Sequence, residues 1–290
     1  MIICQDVASI RAERASLGPK ATVGFVPTMG ALHAGHASLA SQSVAENDHT
    51  IVSIFVNPTQ FGPNEDLARY PKTFEADKNL LESLGVDMIF APGPDDIYPK
   101  GKDGAAFTFN IHGLADLLCG SSRPGHMQGV VQVVNALLNI VQPTNAYFGL
   151  KDYQQYRILK TMGEEFHHTS NIIGCPIVRE EDGLAMSSRN LYLSDEERQQ
   201  ALALYHVLTD VKSRIEDFQT AQHVEAFVEE SLARYPLVRL DYFNILNETN
   251  LQELETISSS SYPRAFMAAY LGKTRLIDNM SLYNHSSSQG

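Results

Sequence analysis

Short apolar runs alternate with amphipathic stretches along the first half of the chain. Ala21 to Val26 reads Ala-Thr-Val-Gly-Phe-Val and is closed by Pro27; Thr50 to Val56 reads Thr-Ile-Val-Ser-Ile-Phe-Val and is closed by Asn57-Pro58. Both predict buried strands. Between them, Ala34 to Glu46 is rich in Ala, Ser and Leu and predicts a helix. Such a strand–helix–strand unit implies parallel strands joined by a right-handed crossover. Residues 72–84 predict another helix with Gly85 as its left-handed cap, then a brief strand from Asp87 to Phe90.

The stretch 91–104 carries repeated Pro and Gly and predicts a loop, and Phe107 to Ile111 alternates weakly enough to predict an edge strand. Val130, Val133, Val134, Leu137, Leu138 and Val141 form one apolar stripe at helical spacing. Ala146 to Phe148 predicts a strand, Gln154 to Glu165 a helix, and Asn171 to Val178 a last strand interrupted by Pro176.

The pattern changes near Arg179. Ser194-Asp195-Glu196-Glu197 is a capping-box start, from which one long helix is expected to run to about Phe218. A second helix is expected over Ala221 to Tyr235. Leu240 to Leu246, Arg264 to Leu271 and Thr274 to Asp278 then read as strands, the last two joined by a hairpin turn at Gly272-Lys273. The tail from Asn284 is polar and predicts disorder. The expectation is an α/β protein: a Rossmann-like parallel-sheet domain over 1–178 and a small α+β domain over 179–290.

Composition narrows the class. With 43% apolar and 19% charged residues, the 290-residue chain suits a globular protein with a sizeable core. No stretch approaches the roughly 20 apolar residues that a membrane-spanning helix needs. Met1 to Asp6 lacks the basic segment and apolar run of a signal peptide. A net charge of −12 argues against nucleic acid and anionic membranes as partners. Cys4, Cys119 and Cys175 are odd in number and widely spaced, which points away from a disulfide framework and towards a reducing cytoplasm.

The sharpest chemical feature is Pro27-Thr28-Met29-Gly30-Ala31-Leu32-His33-Ala34-Gly35-His36, where the first predicted strand hands over to the first helix. In a doubly wound sheet, ligands bind at this carboxyl end. The helix start offers N–H groups and a positive dipole end to a phosphate. Two imidazoles three residues apart can donate to one anion, more strongly as charge builds in a transition state. A zinc site is the competing reading of the two histidines, but no carboxylate or thiolate stands beside them to complete it.

Cations suited to screening phosphate charge recur at Lys151, after Phe148-Gly149, and at Arg189, after Ser187-Ser188. Gln60 and Gln155 carry amides that both donate and accept, which suits a hydroxylated substrate. Asp77, in the predicted 72–84 helix, is a weak candidate for a magnesium contact; a solvated helix residue is the preferred reading.

His33-Ala34-Gly35-His36 resembles the His-x-Gly-His signature of the nucleotidyltransferase superfamily. The longer string resembles the pantoate–β-alanine ligase family in particular, as do further blocks spread in order over nearly the whole chain. These are Phe55 to Phe61, Arg123-Pro124-Gly125-His126, Phe148 to Gln155, Asp182 to Asn190 and Leu271 to Asn279. Thr59 stands where that family usually has Met, Leu150 at a position that is usually polar, Cys119 where Glu is common, and Gln128 where Arg is usual.

The resemblance implies an ATP-dependent, AMP-forming ligase that joins pantoate to β-alanine through a pantoyl adenylate, with Mg2+ accompanying ATP. It implies catalytic roles for His33, His36, Lys151, Ser187, Ser188 and Arg189. ATP would meet Pro27, Thr28, Met29, His36, Gly149, Lys151, Asp152, Met186, Ser187, Ser188 and Arg189; pantoate would meet Met29, Gln60 and Gln155. Asn57 and Arg123 are further candidates. A homodimer is implied as well. Another nucleotidyltransferase of the superfamily, an inactive nucleotide-binding paralogue and an RNA-binding synthetase fragment are the alternatives. The paired glutamines count against the first and the acidic charge against the last.

Overall fold

Strand β2 (Val23–Thr28) lies inside a six-stranded parallel sheet with β1 (Ile2–Cys4), β3 (His49–Ile54), β4 (Met88–Phe90), β5 (Asn145–Gly149) and β6 (Asn171–Cys175). The computed structural model describes residues 1–62, 66–101, 107–218, 220–254 and 256–283. The tail expected to be disordered and residues 102–104 of the expected loop lie outside these. The strand order is β1-β4-β3-β2-β5-β6. From β2 the chain builds outward one way through β3 and β4, then returns to build the other way through β5 and β6. The carboxyl ends of β2 and β5 therefore flank the switch point of the sheet, where a doubly wound fold leaves its ligand crevice.

Proline at position 27 does not end β2, which continues to Thr28. Residues 23 and 25 turn their backbone groups towards β5, as the bond from Thr144 N–H to the Val23 carbonyl shows. Thr28 faces β3 and accepts from Phe55 N–H. Pro27 thus lacks a donor only on the β5 side, where pairing stops at Phe25. The missing N–H helps part β2 from β5 at their carboxyl ends.

The helices of this unit are α1 (Val7–Ser16), α2 (Ala34–Glu46), α3 (Phe74–Ser83), α4 (Pro94–Ile97), α5 (Leu118–Ser122), α6 (His126–Val141) and α7 (Tyr153–Glu165). Val26 and Val52 meet Leu39, Ala40 and Leu81 of α2 and α3 on one face of the sheet. By alternation Phe25 and Ile51, both fully buried, point to the other face. The apolar stripe of α6 is buried from Met127 to Val141.

Several expectations change. Residues 107–111 form no strand: Phe107 is 85% exposed, and Phe109 instead makes a T-shaped contact with Phe166, ring centroids 5.7 Å apart. Without a buried face, alternation cannot hold a strand in a sheet. The expected 91–104 loop contains α4, with proline at its first position and Asp96 accepting from Gly93 N–H at 2.9 Å. β6 stops at Cys175, before the Pro176 that lacks a ladder donor. Strand β1 and helix α1 carry too short a pattern to stand out in the sequence.

The chain divides into two compact units: Met1–Leu150 with Gln154–Ile177, and Lys151–Tyr153 with the chain from Val178 onward. The second unit pairs β7 (Val238–Asn247), β8 (Pro263–Leu271) and β9 (Thr274–Ser281) as an antiparallel sheet in that order. Its helices are α8 (Asp195–Gln200), α9 (Ala203–Ser213) and α10 (Ala221–Leu232). Leu204, Leu208 and Val211 of α9 share a core with Val224, Val228 and Met267.

The single long helix expected from Asp195 is broken. Ala201 and Leu202 hold ψ near −20°, and the bonds there shorten to Leu202 N–H onto Gln199 O and Leu204 N–H onto Ala201 O. Arg214 leaves helical geometry, and a 3-10 turn over Ile215–Asp217 follows. The next helix, α10, ends at Leu232 rather than Tyr235.

Candidate active site

The turn from β2 to α2 carries the two histidines, and its shape follows from three constraints. Gly30 has φ +83°, and a Cβ there would sit 3.1 Å from both Asp77 Oδ2 and the Ile54 side chain. Ala31 follows at φ +52°, in the left-handed region that L-residues avoid. The carboxylate of Asp77, reaching in from α3, accepts from Ala31 N–H at 3.0 Å and Leu32 N–H at 2.9 Å. Asp77 is 3% exposed and also accepts from the Thr73 hydroxyl. It is a clamp on the histidine turn, not the solvated helix residue preferred from the sequence. Thr28 adds a brace: its hydroxyl donates to the Ser53 carbonyl at 2.7 Å and accepts from Gly30 N–H.

His33 is the N-cap of α2. Its Nδ1 accepts from Gly35 N–H at 3.1 Å, and His36 Nδ1 faces the His33 N–H at 3.4 Å. The rings lie 4.1 Å apart. An Nδ1 that faces an N–H carries no hydrogen, so each neutral imidazole keeps its proton on Nε2. The capping box therefore presents two Nε2–H donors at a helix N-terminus whose first turn holds no acidic residue. That arrangement suits an anionic oxygen.

Beyond β3 the chain enters a 3-10 turn, Pro58–Gln60, capped by Asn57. Gln60 Nε2 reaches the Met29 sulfur at 2.9 Å, so two of the three residues expected to hold pantoate meet. Asn57 donates to Gln60 Oε1 at 3.1 Å and to the Gly129 carbonyl at 3.1 Å. Gly129 lets α6 approach this turn; any side chain there would overlap the Thr59 carbonyl. His126 Nε2 lies 2.8 Å from the Arg123 guanidinium, and His126 Nδ1 lies 2.8 Å from the Gln60 carbonyl. A guanidinium only donates, so the imidazole hydrogen sits on Nδ1 and holds the Gln60 backbone. Arg123 thus acts on this turn through His126.

Gly149 ends β5, and among the described residues no atom comes within 4 Å of its missing Cβ. Gln155, the third residue expected at pantoate, sits half-buried in the first turn of α7. Its neighbour Gln154 is buried and structural, bonding Gly120 N–H and the carbonyls of Leu114 and Leu117. That bond fixes the segment bearing Cys119, whose side chain is buried in α5.

In the second unit, Lys151 and Ser187 line one small cavity together with Asn190 and Asp278. The Lys151 ammonium lies 3.8 Å from Asp152, and the Lys151 carbonyl accepts from Asn279 Nδ2 at 2.9 Å. Met186 to Arg189 leave a tight hairpin. Arg179 grips its base, forking onto Asp278 at 2.6 and 3.0 Å and donating to the Gly183 carbonyl at 3.0 Å. Gly183 has φ +98°, and any side chain there would run into the Tyr205 ring. Asn190 ties the far side to Glu180 and the Ala185 carbonyl. Ser187 Oγ accepts from Arg189 N–H at 3.2 Å, and its own hydroxyl hydrogen can still donate. Arg198 closes the hairpin on Glu180 and Asp182, and its guanidinium holds the Asp182 carboxyl below the usual range.

Four of these devices have no local sequence pattern: the Asp77 clamp, the His126 hold on Gln60, the Asp278–Asn279 pair and Tyr98, whose hydroxyl meets Asn57 at 2.6 Å. The Arg123–His126 and Leu271–Asn279 blocks of the resemblance mark two of them without showing what they do.

A parallel sheet with a phosphate-suited helix start at its switch point defines a doubly wound α/β protein built to hold an anionic ligand. The sequence profile of the family described as Pantoate-beta-alanine ligase matches residues 2–281. A pantothenate synthetase of Thermotoga neapolitana is 49% identical over 264 residues, covering 91% of this chain and 92% of the relative. One from Acetivibrio thermocellus is 44% identical, covering 95% and 96%. The crystal structure of pantothenate synthetase from Thermus thermophilus superposes with a TM-score of 0.90 at 41% identity, covering 98% of this chain and 100% of that one. A pantoate-beta-alanine ligase of Francisella tularensis, crystallised with beta-gamma ATP and beta-alanine, gives 0.81 at 38% identity, covering 99% and 100%. The chain belongs to the pantoate–β-alanine ligase family.

Proposed function

We infer that this chain is an ATP-dependent ligase that joins pantoate to β-alanine, the step that makes pantothenate. The observation that carries the reading is the family match across residues 2–281. A pantoate carboxylate oxygen attacks the α-phosphorus of ATP and expels pyrophosphate. The amine of β-alanine then attacks the acyl carbon of the adenylate, forming the amide, releasing AMP and losing one proton.

The proposed division of labour follows the geometry of each unit. His33 and His36 donate from Nε2 to a phosphate oxygen and strengthen as charge moves onto the leaving group. The backbone at Pro27, Thr28 and Met29 lines the nucleotide, and Gly149 leaves room beside it. Lys151, Ser187, Ser188 and Arg189, with Met186, serve the phosphate charge, and Asp152 the ribose hydroxyls. Met29, Gln60 and Gln155 receive pantoate, with Asn57 and Arg123 supporting Gln60.

Mg2+ is proposed to arrive with ATP, where it neutralises phosphate charge. Among the described residues no three His, Cys, Asp or Glu side chains gather to hold a metal. The Asp77 oxygens already serve two backbone N–H groups. The ion would therefore be held mainly by the phosphates. A homodimer is proposed on family grounds, and a single-chain mass in sedimentation would rule it out. A reducing cytoplasm is the proposed location; it suits three buried cysteines that form no disulfide.

The adenylate route is tested with pantoate carrying 18O in its carboxylate. One labelled oxygen is expected to leave in AMP. Unlabelled AMP formed alongside pantothenate would overturn the route.

A further inference from the structure

We propose that Tyr98 is a positioning residue that fixes which end of the Gln60 amide faces the substrate, acting through the buried amide of Asn57. The proposal rests on the reading that Gln60 contacts pantoate.

Asn57 is 1% exposed, and its two amide ends meet opposite kinds of partner. Its Oδ1 faces three donors: the Tyr98 hydroxyl at 2.6 Å, the Thr59 hydroxyl at 3.0 Å and the Thr59 N–H at 3.3 Å. Its Nδ2 faces two acceptors, Gln60 Oε1 and the Gly129 carbonyl. Turning the Asn57 amide over would set N–H against N–H at Thr59 and oxygen against oxygen at Gly129. In a buried site each broken pairing costs the full desolvation of the groups involved. The orientation of Asn57 is thereby fixed, and Tyr98 makes the shortest of its bonds.

That orientation passes to Gln60. Its Oε1 is committed as the acceptor for Asn57 Nδ2. Its Nε2 is therefore the end presented at Met29, where the thioether is only a weak acceptor. A substrate carboxylate or hydroxyl oxygen is a much better partner for that N–H. Gln60 is thus set to meet an accepting oxygen with its N–H end, its Oε1 end being turned towards Asn57. A Gln60 free to turn would offer either end and lose that selectivity.

The surroundings keep Tyr98 in this role. It lies in the Pro- and Gly-rich stretch after α4, only 5% exposed, with its ring 6.4 Å from that of Phe55. Burial pushes its phenol pKa up, so the hydroxyl stays a donor. Thr59, where the family usually has Met, adds a second hydroxyl 3.1 Å from the Tyr98 oxygen. The Gln60 main chain is pinned separately through His126. The side chain and the backbone of this one glutamine thus have independent supports.

The test compares Tyr98→Phe, Thr59→Val and the double substitution, each with and without Gln60→Ala. In protein labelled with 15N-glutamine, the Gln60 side-chain amide peak is identified by its loss in Gln60→Ala. It is expected to move in Tyr98→Phe and further in the double variant. The KM for pantoate should rise on the order of tenfold in the double variant, as expected when a hydrogen bond of ordinary strength is lost. The KM for ATP should stay within about twofold, because a structural defect would disturb both sites. In the Gln60→Ala background the same substitutions should leave the pantoate KM unchanged, because their effect passes through that amide. An unmoved Gln60 peak, or a KM rise that persists in Gln60→Ala, would overturn the proposal. Should Tyr98→Phe fail to fold, Thr59→Val carries the same two readouts. If the unsubstituted protein shows no pantoate-dependent turnover, the assigned reaction fails instead, while the amide peak still reports on the relay.

Discussion

At Ala31 the backbone holds a conformation that costs an L-residue about 1–2 kcal/mol, and the Asp77 carboxylate holds it there. Replacing Asp77 with Ala would leave two N–H groups in a largely buried turn without their acceptor. The expected loss is about 2 kcal/mol or more of unfolding free energy, with a fall in adenylate formation as the histidine turn relaxes. Urea unfolding and pyrophosphate release measure the two. An unchanged urea midpoint would show that the clamp carries no weight. The sequence makes the turn itself legible: Gly30, the histidine spacing and the strand-to-helix handover are all local. Asp77 is not legible in that way, because its bonds span 45 and 46 residues and leave no periodic trace. Tyr98 is hidden for a similar reason. It stands in a stretch that reads only as Pro and Gly punctuation, and its partner lies 41 residues earlier.

Elements show the same division between local and distant causes. Helix α2 is readable to the residue because its Ala, Ser and Leu content is a local signal. The break between α8 and α9 is not, since Ala201 and Leu202 are good helix formers, both core-packed, and only a shortened hydrogen-bond pattern separates the helices. At the far end of α2, Tyr147 of β5 is fully buried, donates to Glu46 at 2.8 Å and accepts from Asn47 at 2.7 Å. Burial first, and then the Glu46 carboxylate, push its phenol pKa from 10.0 up to about 12. The folded state therefore holds this proton more tightly than the unfolded chain does. Its contribution is intact below pH 10 and is lost as pH rises towards 12. Tyr147→Phe should show a shallower decline in stability over that window than the unsubstituted protein. Equal slopes in urea unfolding series would contradict the assignment.

Across the whole molecule, two compact units each build their own core, and each holds some of the residues proposed to act. The sheet unit holds the histidine turn and the Gln60 turn. The second unit holds Lys151 and the Met186–Arg189 loop, both braced by neighbouring residues of one strand, Asn279 on the lysine and Asp278 on Arg179. The identity of the acid and amine substrates rests on the family, because no single spacing in the chain names them. The most direct measurement follows AMP release with pantoate and ATP present, with and without β-alanine. AMP that appears with β-alanine, in step with pantothenate, is the predicted result. An absence of β-alanine-dependent AMP from folded protein would contradict it.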